Sequence, residues 1–384
     1  MVTQLQALQI PELRRTYGFG EVSIIPGEIT INPDQTNIEF SIGDLTLGAP
    51  VLAAATDAVV SPAFTAKFDE LGGLGVMNLE GIQTKYDDPD SILSEIAEAP
   101  EDEMTTLLQK VYSAPIKEEL IGKRVEETKA LGAKCAVSVT PAFTKSFAPV
   151  AVEAGADVLL VQSTVTTALH ISKSAIGLKL TEVLEMVDVP VLVGNCVSYN
   201  VALELMETGI HGVLVGVGPG ATCTTREVTG VGVPQVAATM DCAAARDEYF
   251  HRSGRCYVPI ITDGGIRTGG DLCKTLACRA DAVMIGTPLA QSEEAPGQGY
   301  NWGMASPHPA LPRGTQINVG VKVSLEKILR GPPTISDGTQ NLLGALEVCM
   351  GMVGAFNIRE FHDKAEIVIS PAIKTEGKHH QLGL

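Results

Sequence analysis

The chain has 384 residues, 45% hydrophobic and only 4% aromatic, with 39 glycines, so an aliphatic core interrupted by many tight turns is expected. Its 28 Lys and Arg against 45 Asp and Glu leave a net charge of −17, which excludes nonspecific binding to a nucleic-acid backbone but not a small phosphate held by backbone N–H groups. No signal-peptide-like or membrane-spanning apolar run is present, and the eight cysteines are scattered without a CxxC, as expected of reduced thiols in a cytoplasmic protein.

Short apolar runs recur along the chain: Val51 to Ala53, Leu74 to Met77, Cys135 to Val139, Val158 to Val161, Val191 to Val193, Val213 to Val215, Val258 to Ile261 and Ala282 to Ile285. They are apolar throughout rather than alternating, the pattern of strands buried on both faces of a parallel sheet. Helical spacing fits between them over 64–71, 117–131, 145–154, 175–187, 198–208, 241–253 and 269–278. Eight strand–helix units in about 250 residues predict an α/β fold, a (β/α)8 TIM barrel, as one domain over 1–384. A doubly wound open sheet is the rival, but no gap ends the repeat after five to seven strands.

Two segments lie outside the repeat. Residues 291–323 are rich in Gly and Pro without clear periodicity, which suits a catalytic flap or lid better than a connector. Residues 335–361 return to helix, and 366–384 read as a C-terminal arm. His379 and His380 in that arm have no Cys, Asp or Glu at ligand spacing and read as solvated.

The residues after the apolar runs are polar and chemically capable: Thr56-Asp57, Asn78, Thr140, Gln162-Ser163, Asn195-Cys196, the loop around Cys223, Asp263-Gly264-Gly265 and Gly286-Thr287. Loops are often polar for bland reasons. A barrel, however, gathers all eight positions on its C-terminal face, where such enzymes place their active sites. The Asp263-Gly264-Gly265-Ile266 and Gly286-Thr287 turns follow the seventh and eighth strands, the usual phosphate position of a barrel, although DGG is also an ordinary turn.

Cys223 carries the sharpest expectation. It sits in GVGPGATCTTREVTGVGVPQ, a glycine- and hydroxyl-rich turn directly after an apolar run. Free cysteines are usually small buried hydrophobes, the role expected of Cys135, Cys273, Cys278 and Cys349. In the Cys223 turn, backbone N–H groups can favour a thiolate, as suits a covalent nucleophile, and Arg226 either adds a nearby positive charge or pairs elsewhere.

This loop resembles the cysteine-loop signature of the IMP dehydrogenase/GMP reductase family. The resemblance extends to Ala53-Ala54-Ala55-Thr56-Asp57, Gly72-Gly73-Leu74-Gly75, Gly194-Asn195, Asp263-Gly264-Gly265-Ile266, Glu294-Ala295-Pro296-Gly297 and Gly303-Met304, in order, over nearly the whole chain. It implies a purine nucleoside monophosphate over the barrel mouth, with Cys223 attacking C2 and Thr225 as its catalytic partner. It implies Asp263 on the ribose hydroxyls, Gly265, Gly286 and Thr287 near the phosphate, and Ala53, Gly303 and Met304 among the substrate contacts. Gln162, Ser163 and Asn195 fall where NAD would lie. The carbonyls of Gly218, Gly220 and Cys223 match positions that hold a monovalent cation, K+. A homotetramer is implied as well.

The chain also departs from the family pattern. The stretch from Asn78 to Lys134 is too short for the regulatory CBS-domain pair of full-length IMP dehydrogenases. The flap shows Arg313 without the tyrosine that follows it in those enzymes; Arg313 matches either the catalytic arginine or a base-reading position, and His308 is an alternative proton acceptor. The lysine expected of a GMP reductase after the second strand is missing from Asn78-Leu79-Glu80-Gly81, the nicotinamide-ribose aspartate is Gln162, and a methionine of the first strand loop is Thr56. The activity implied first is NAD-dependent oxidation of IMP to XMP. The alternatives are NADPH-dependent reduction of GMP with ammonia release, and a purine-nucleotide-binding regulator without turnover.

Overall fold

The computed structural model describes residues 13–100, 102–168, 178–303 and 316–370. Eight parallel strands close into a barrel: β1 (Val51–Ala53), β2 (Leu74–Asn78), β3 (Ala136–Val139), β4 (Val158–Gln162), β5 (Val191–Cys196), β6 (Gly212–Val215), β7 (Ile260–Asp263) and β8 (Ala282–Ile285). Each pairs with its sequence neighbours, and β8 returns to β1 through Val283–Val51, Met284–Leu52 and Ile285–Ala53. The (β/α)8 barrel expected from eight apolar runs is the observed fold.

Successive side chains of each strand point to opposite faces, which explains why the runs are apolar throughout. Leu52, Leu74, Val76, Leu160, Leu192, Leu214, Ile261 and Met284 fill the barrel interior. Their neighbours Val51, Ala53, Val161, Val193, Val213 and Val283 pack outward against the helices. A hairpin of Phe40–Ile42 and Leu45–Leu47 precedes β1, and its Phe40, Ile42 and Leu47 join the interior cluster. They close the end of the barrel at which the strands begin.

The expected helices between strands are present, with shifted ends. The one expected over 241–253 runs Gln235–Arg252 and therefore starts inside the cysteine-loop motif. Only Leu180–Met186 of the one expected over 175–187 is helical among the described residues. The stretch 335–361 divides into Leu342–Val353 and Ile358–Lys364, because Gly354 at φ +78 ends the first helix in a left-handed turn. Between β2 and β3 stand two helices that were not among those expected, Pro89–Glu98 and Met104–Ser113; in the second, Met104, Leu107, Leu108, Val111 and Tyr112 recur at helical spacing. Leu93, Ile96, Met104, Leu108, Val111 and Tyr112 from these helices pack around Ala58 and Trp302. Of the C-terminal arm, Glu366–Ile369 pairs antiparallel with Val22–Ile25, while residues 371–384 lie outside the described residues.

The end of the barrel away from the site is fastened by a buried ion pair. Arg246, fully buried, donates to Asp281 Oδ2 at 2.8 Å and to the carbonyl of Arg279 at 2.8 Å. Asp281, just before β8, also accepts from the Tyr257 hydroxyl and from Ile260 N at the start of β7. Removing one partner of such a pair strands the other charge away from water. Arg246→Ala is therefore expected to lower the unfolding free energy by about 3–5 kcal/mol in a urea titration. A loss of under about 1 kcal/mol, the range of an exposed pair, would refute this account of the fastening.

Candidate active site

The strand ends β1 to β8 and the loops after them surround a cavity of 1050 Å³. Its lining includes Thr56, Asn78, Thr140, Gln162, Ser163, Asn195, Cys223, Asp263, Gly286 and Thr287, so each of the eight strand ends contributes to it, whereas Asp57 and Cys196 of the expected positions do not line it. Thr225, Gly218, Gly220, Gly265 and Gly303 line it as well. Ala53 is fully buried at the end of β1, behind the lining residues Ala54, Ala55 and Thr56. Met304, His308 and Arg313 lie outside the described residues.

Beyond β6 the chain turns sharply. A Cβ at Gly216 (φ +148) would sit 2.3 Å from the carbonyl oxygen of Asp263, so glycine is what lets the cysteine loop lie against β7. The loop is tied at its base by Val233 N to Val217 O, 3.3 Å, and at its tip by Cys223 N to Gly220 O, 3.1 Å. Cys223 is partly buried and faces the cavity; its Sγ lies 3.3 Å from Thr225 Oγ1, to which the thiol donates. Thr225 opens the short helix Thr225–Thr229 and is itself buried. Arg226 is exposed, and its stem lies against Gly218 and Gly232.

Asp263 ends β7 at the cavity. Its Oδ2 accepts from Asn195 Nδ2 at 2.8 Å and from Gln162 Nε2 at 3.0 Å. Gln162 Nε2 also donates to Asn195 Oδ1 at 3.0 Å, and Asn195 Nδ2 to Gly216 O at 2.9 Å. Burial pushes the Asp263 carboxyl up from an ordinary 3.8 to about 6, while the two amide donors pull it down. Gly264 and Gly265 then turn with φ +85 and +79, which leaves the backbone beside β7 uncovered by side chains. Gln235, at the head of its helix, clamps this turn by donating Nε2 to Asp263 O at 2.7 Å and to Gly264 O at 3.0 Å.

On the opposite wall Glu80 accepts from Thr140 N at 2.6 Å, with Ser138, Ser163 and Thr164 beside it. The flap expected over 291–323 is described at both stems: Tyr300–Asn301 pairs with Ile317–Asn318. Trp302 follows, with its carbonyl on Thr56 Oγ1 at 3.1 Å and its indole N–H on Tyr112 OH at 2.8 Å; that hydroxyl donates to Asp57 Oδ2 at 2.7 Å. Asn301 Nδ2 donates to Thr287 Oγ1 at 3.1 Å.

Gln235, Glu80, Asn301 and Tyr112 were not singled out as site residues from the sequence. Each acts on a partner remote in the chain, so no local spacing marks it. The N-terminal segment Thr16, Gly18, Phe19, Gly20 and Glu21 also reaches the cavity rim unannounced.

The arrangement offers a thiol with a hydroxyl partner, a carboxylate with one oxygen secured, and a glycine turn for an anion, around a cavity roomier than a single small ligand needs. For a cation, the cysteine loop offers backbone carbonyls, ligands that suit a weakly hydrated monovalent ion. Among the described residues no group of three or more His, Cys, Asp or Glu is placed to hold a metal, and no helix is long and apolar enough to cross a membrane.

Known proteins share this organisation. An IMP dehydrogenase/GMP reductase-like protein from Corynebacterium glutamicum superposes with a TM-score of 0.88 at 34% identity, over 94% of this chain and 96% of that one. An uncharacterized oxidoreductase of Mycobacterium leprae is 40% identical over 366 residues, covering 93% of this chain and 97% of that protein. An inosine-5'-monophosphate dehydrogenase of Cryptosporidium parvum is 29% identical over 396 aligned positions, 91% of each chain. The IMP dehydrogenase / GMP reductase domain matches residues 16–380, a span that takes in both walls of the cavity and the cysteine loop, and the chain belongs to that family.

Proposed function

We propose that this protein is an oxidoreductase that converts inosine 5'-monophosphate to xanthosine 5'-monophosphate with NAD. The observation that carries the reading is the Cys223 thiol, directed at the cavity with Thr225 Oγ1 3.3 Å away, in a loop that lies against the turn after the secured carboxylate of Asp263. The direction of reaction rests on the wall after β2. A reductase of the family carries a lysine there, whereas this chain presents Glu80.

In this reading the purine ribose donates its hydroxyls to Asp263. The phosphate rests near Gly265, Gly286 and Thr287, whose small or absent side chains let it approach the backbone. Gly303 and Met304 meet the base. Cys223 gives up its proton, with Thr225 orienting the sulfur, and Sγ bonds to C2 of the purine. Ser163 and Asn195 would hold NAD along this wall, and its nicotinamide would take the C2 hydrogen as hydride, which leaves the purine bonded to sulfur at C2. Water then adds at C2, the C2–S bond breaks, and the thiol is restored as XMP leaves. Arg313 in the flap is assigned to this release step. The net change is IMP, NAD+ and water to XMP, NADH and a proton. The carbonyls of Gly218, Gly220 and Cys223 would hold K+, which would steady the cysteine loop.

The purified protein with IMP and NAD should raise the nicotinamide absorbance, and should do so faster in K+ than in Na+. Cys223→Ala is expected to remove turnover by roughly three orders of magnitude or more while retaining IMP binding. Oxidation of NADPH with GMP, and none of NAD reduction with IMP, would instead assign the reductase direction. Silence in both mixtures, with IMP bound equally by the wild type and Cys223→Ala, would leave a nucleotide-binding protein without turnover.

A second expectation concerns stability. The Asp263 pKa is raised on folding, so the folded state holds that proton more tightly than the unfolded chain, and stability falls as pH climbs from 3.8 to about 6. Asp263→Asn mimics the neutral acid. It should add about 1–3 kcal/mol to the unfolding free energy at pH 7.5, little at pH 3.5, and abolish IMP binding. Destabilisation at pH 7.5 would contradict the assigned cost of burying this charge.

A further inference from the structure

We infer that Gln162 is a positioning residue for the substrate-side carboxylate Asp263, and that it leaves the dinucleotide no donor. The inference rests on the purine-nucleotide reading above and reassigns one residue of the wall on which the dinucleotide would lie.

The argument is one of hydrogen-bonding capacity. A side-chain amide has two N–H donors and a carbonyl with two lone pairs. Both donors of Gln162 are engaged, one on Asn195 Oδ1 and one on Asp263 Oδ2, each at 3.0 Å. Both donors of Asn195 are engaged too, on Gly216 O at 2.9 Å and Asp263 Oδ2 at 2.8 Å. The Gln162 carbonyl accepts from Ser138 Oγ at 3.3 Å, which fixes the sense of the amide. Turned the other way, its oxygen would face the carboxylate, acceptor against acceptor. Gln162 can therefore offer a dinucleotide one lone pair and no N–H.

Asp263 shows the complementary pattern. Oδ2 receives both amides, whereas Oδ1 has no protein donor among the described residues and is left as the acceptor for a ligand hydroxyl. The pair of amides thus sets which oxygen faces the ligand and in which direction. A glutamate in the pose of Gln162 could not serve. It would place a second negative charge about 3 Å from Asp263 Oδ2, and two such groups cannot both remain ionised in a site screened from water. The other titratable groups lining this cavity are Cys223, Glu80, Glu21, Arg226 and Arg267, and none of them hydrogen-bonds Asp263 among the described residues. Burial alone would favour the protonated acid, and the two amide donors oppose it.

The test is a ratio of affinities, which general damage to the fold would not change. The binding of IMP and of its 2',3'-dideoxy analogue is measured by calorimetry at pH 8 for wild type, Gln162→Leu and Gln162→Glu. Gln162→Leu should weaken IMP about tenfold, the scale of one hydrogen bond to a charged group, and leave the dideoxy analogue unchanged. Gln162→Glu, similar in shape but charged, should weaken IMP further and not rescue. Equal losses for the two ligands, or unchanged IMP affinity together with a raised KM for the dinucleotide, would overturn the assignment. A wild type that binds neither purine ligand would instead defeat the purine-nucleotide reading itself, an outcome the wild-type titration reveals before any variant is made.

Discussion

A carboxylate withdrawn from bulk water persists only where donors replace its lost hydration, and the mouth of this barrel is organised around that condition at Asp263. Its side chain is held from β4 by Gln162 and from β5 by Asn195, and its backbone carbonyl from the following helix by Gln235. Asn195 also holds Gly216 O, where the cysteine loop departs. Strand ends far apart in sequence thereby become one hydrogen-bonded unit. The thiol and the carboxylate, which a nucleotide would have to meet together, are set relative to each other before any ligand arrives.

The same helix that clamps the mouth fastens the other end. Gln235 begins it beside Asp263, and Arg246 lies eleven residues on, about 16 Å along an α-helix, against Asp281 at the start of β8. A helix of this length spans the height of the barrel. Its two ends serve different purposes: Arg246 is fully enclosed and paired, whereas Gln235 keeps its amide beside a cavity with Oε1 unpartnered among the described residues. Stability is concentrated where the strands begin and chemical capacity where they end, the separation that barrels allow between a fixed base and a working face.

The eight strands were legible because a strand covered on both faces has to be apolar at every position, and Val158 to Val161 or Ala282 to Ile285 have no other economical reading. The cysteine loop and the Asp263 turn were legible because glycine at Gly216, Gly264 and Gly265 answers a backbone demand that other residues meet only with strain. What escaped reading was relational. Pro89–Glu98 carries a helix-start signal in Asp88 and Pro89 and an apolar stripe in Ile92, Leu93 and Ile96, but what that stripe packs against, Ala58 and Trp302, is set only by the closed fold. The reach of Tyr112 to Trp302 crosses 190 positions. Gln162 can be located at a strand end from the sequence, but which neighbour its amide faces depends on the closure of the barrel.

Trp302 shows how the remaining wall is joined to the rest. It is fully enclosed by the helices between β2 and β3, its carbonyl is held by Thr56 after β1, and its indole N–H is held through Tyr112 to Asp57. A Cβ at Gly81 would come 2.2 Å from the Asp57 carboxylate, so the turn after β2 is shaped to admit that acid, which also accepts from Ile82 N at 3.0 Å. The strand Tyr300–Asn301 and the flap stem that ends at Gly303 are therefore anchored to the loops after β1 and β2, away from the Cys223–Asp263 unit. A purine lying across the mouth would bridge two separately fixed constructions. Its sugar and reacting carbon would be governed by one, and the outer edge of its base by the other. Under the proposed reaction, recognition of the base would thus be free to diverge through residues near Trp302 without disturbing the geometry of the Cys223–Asp263 unit.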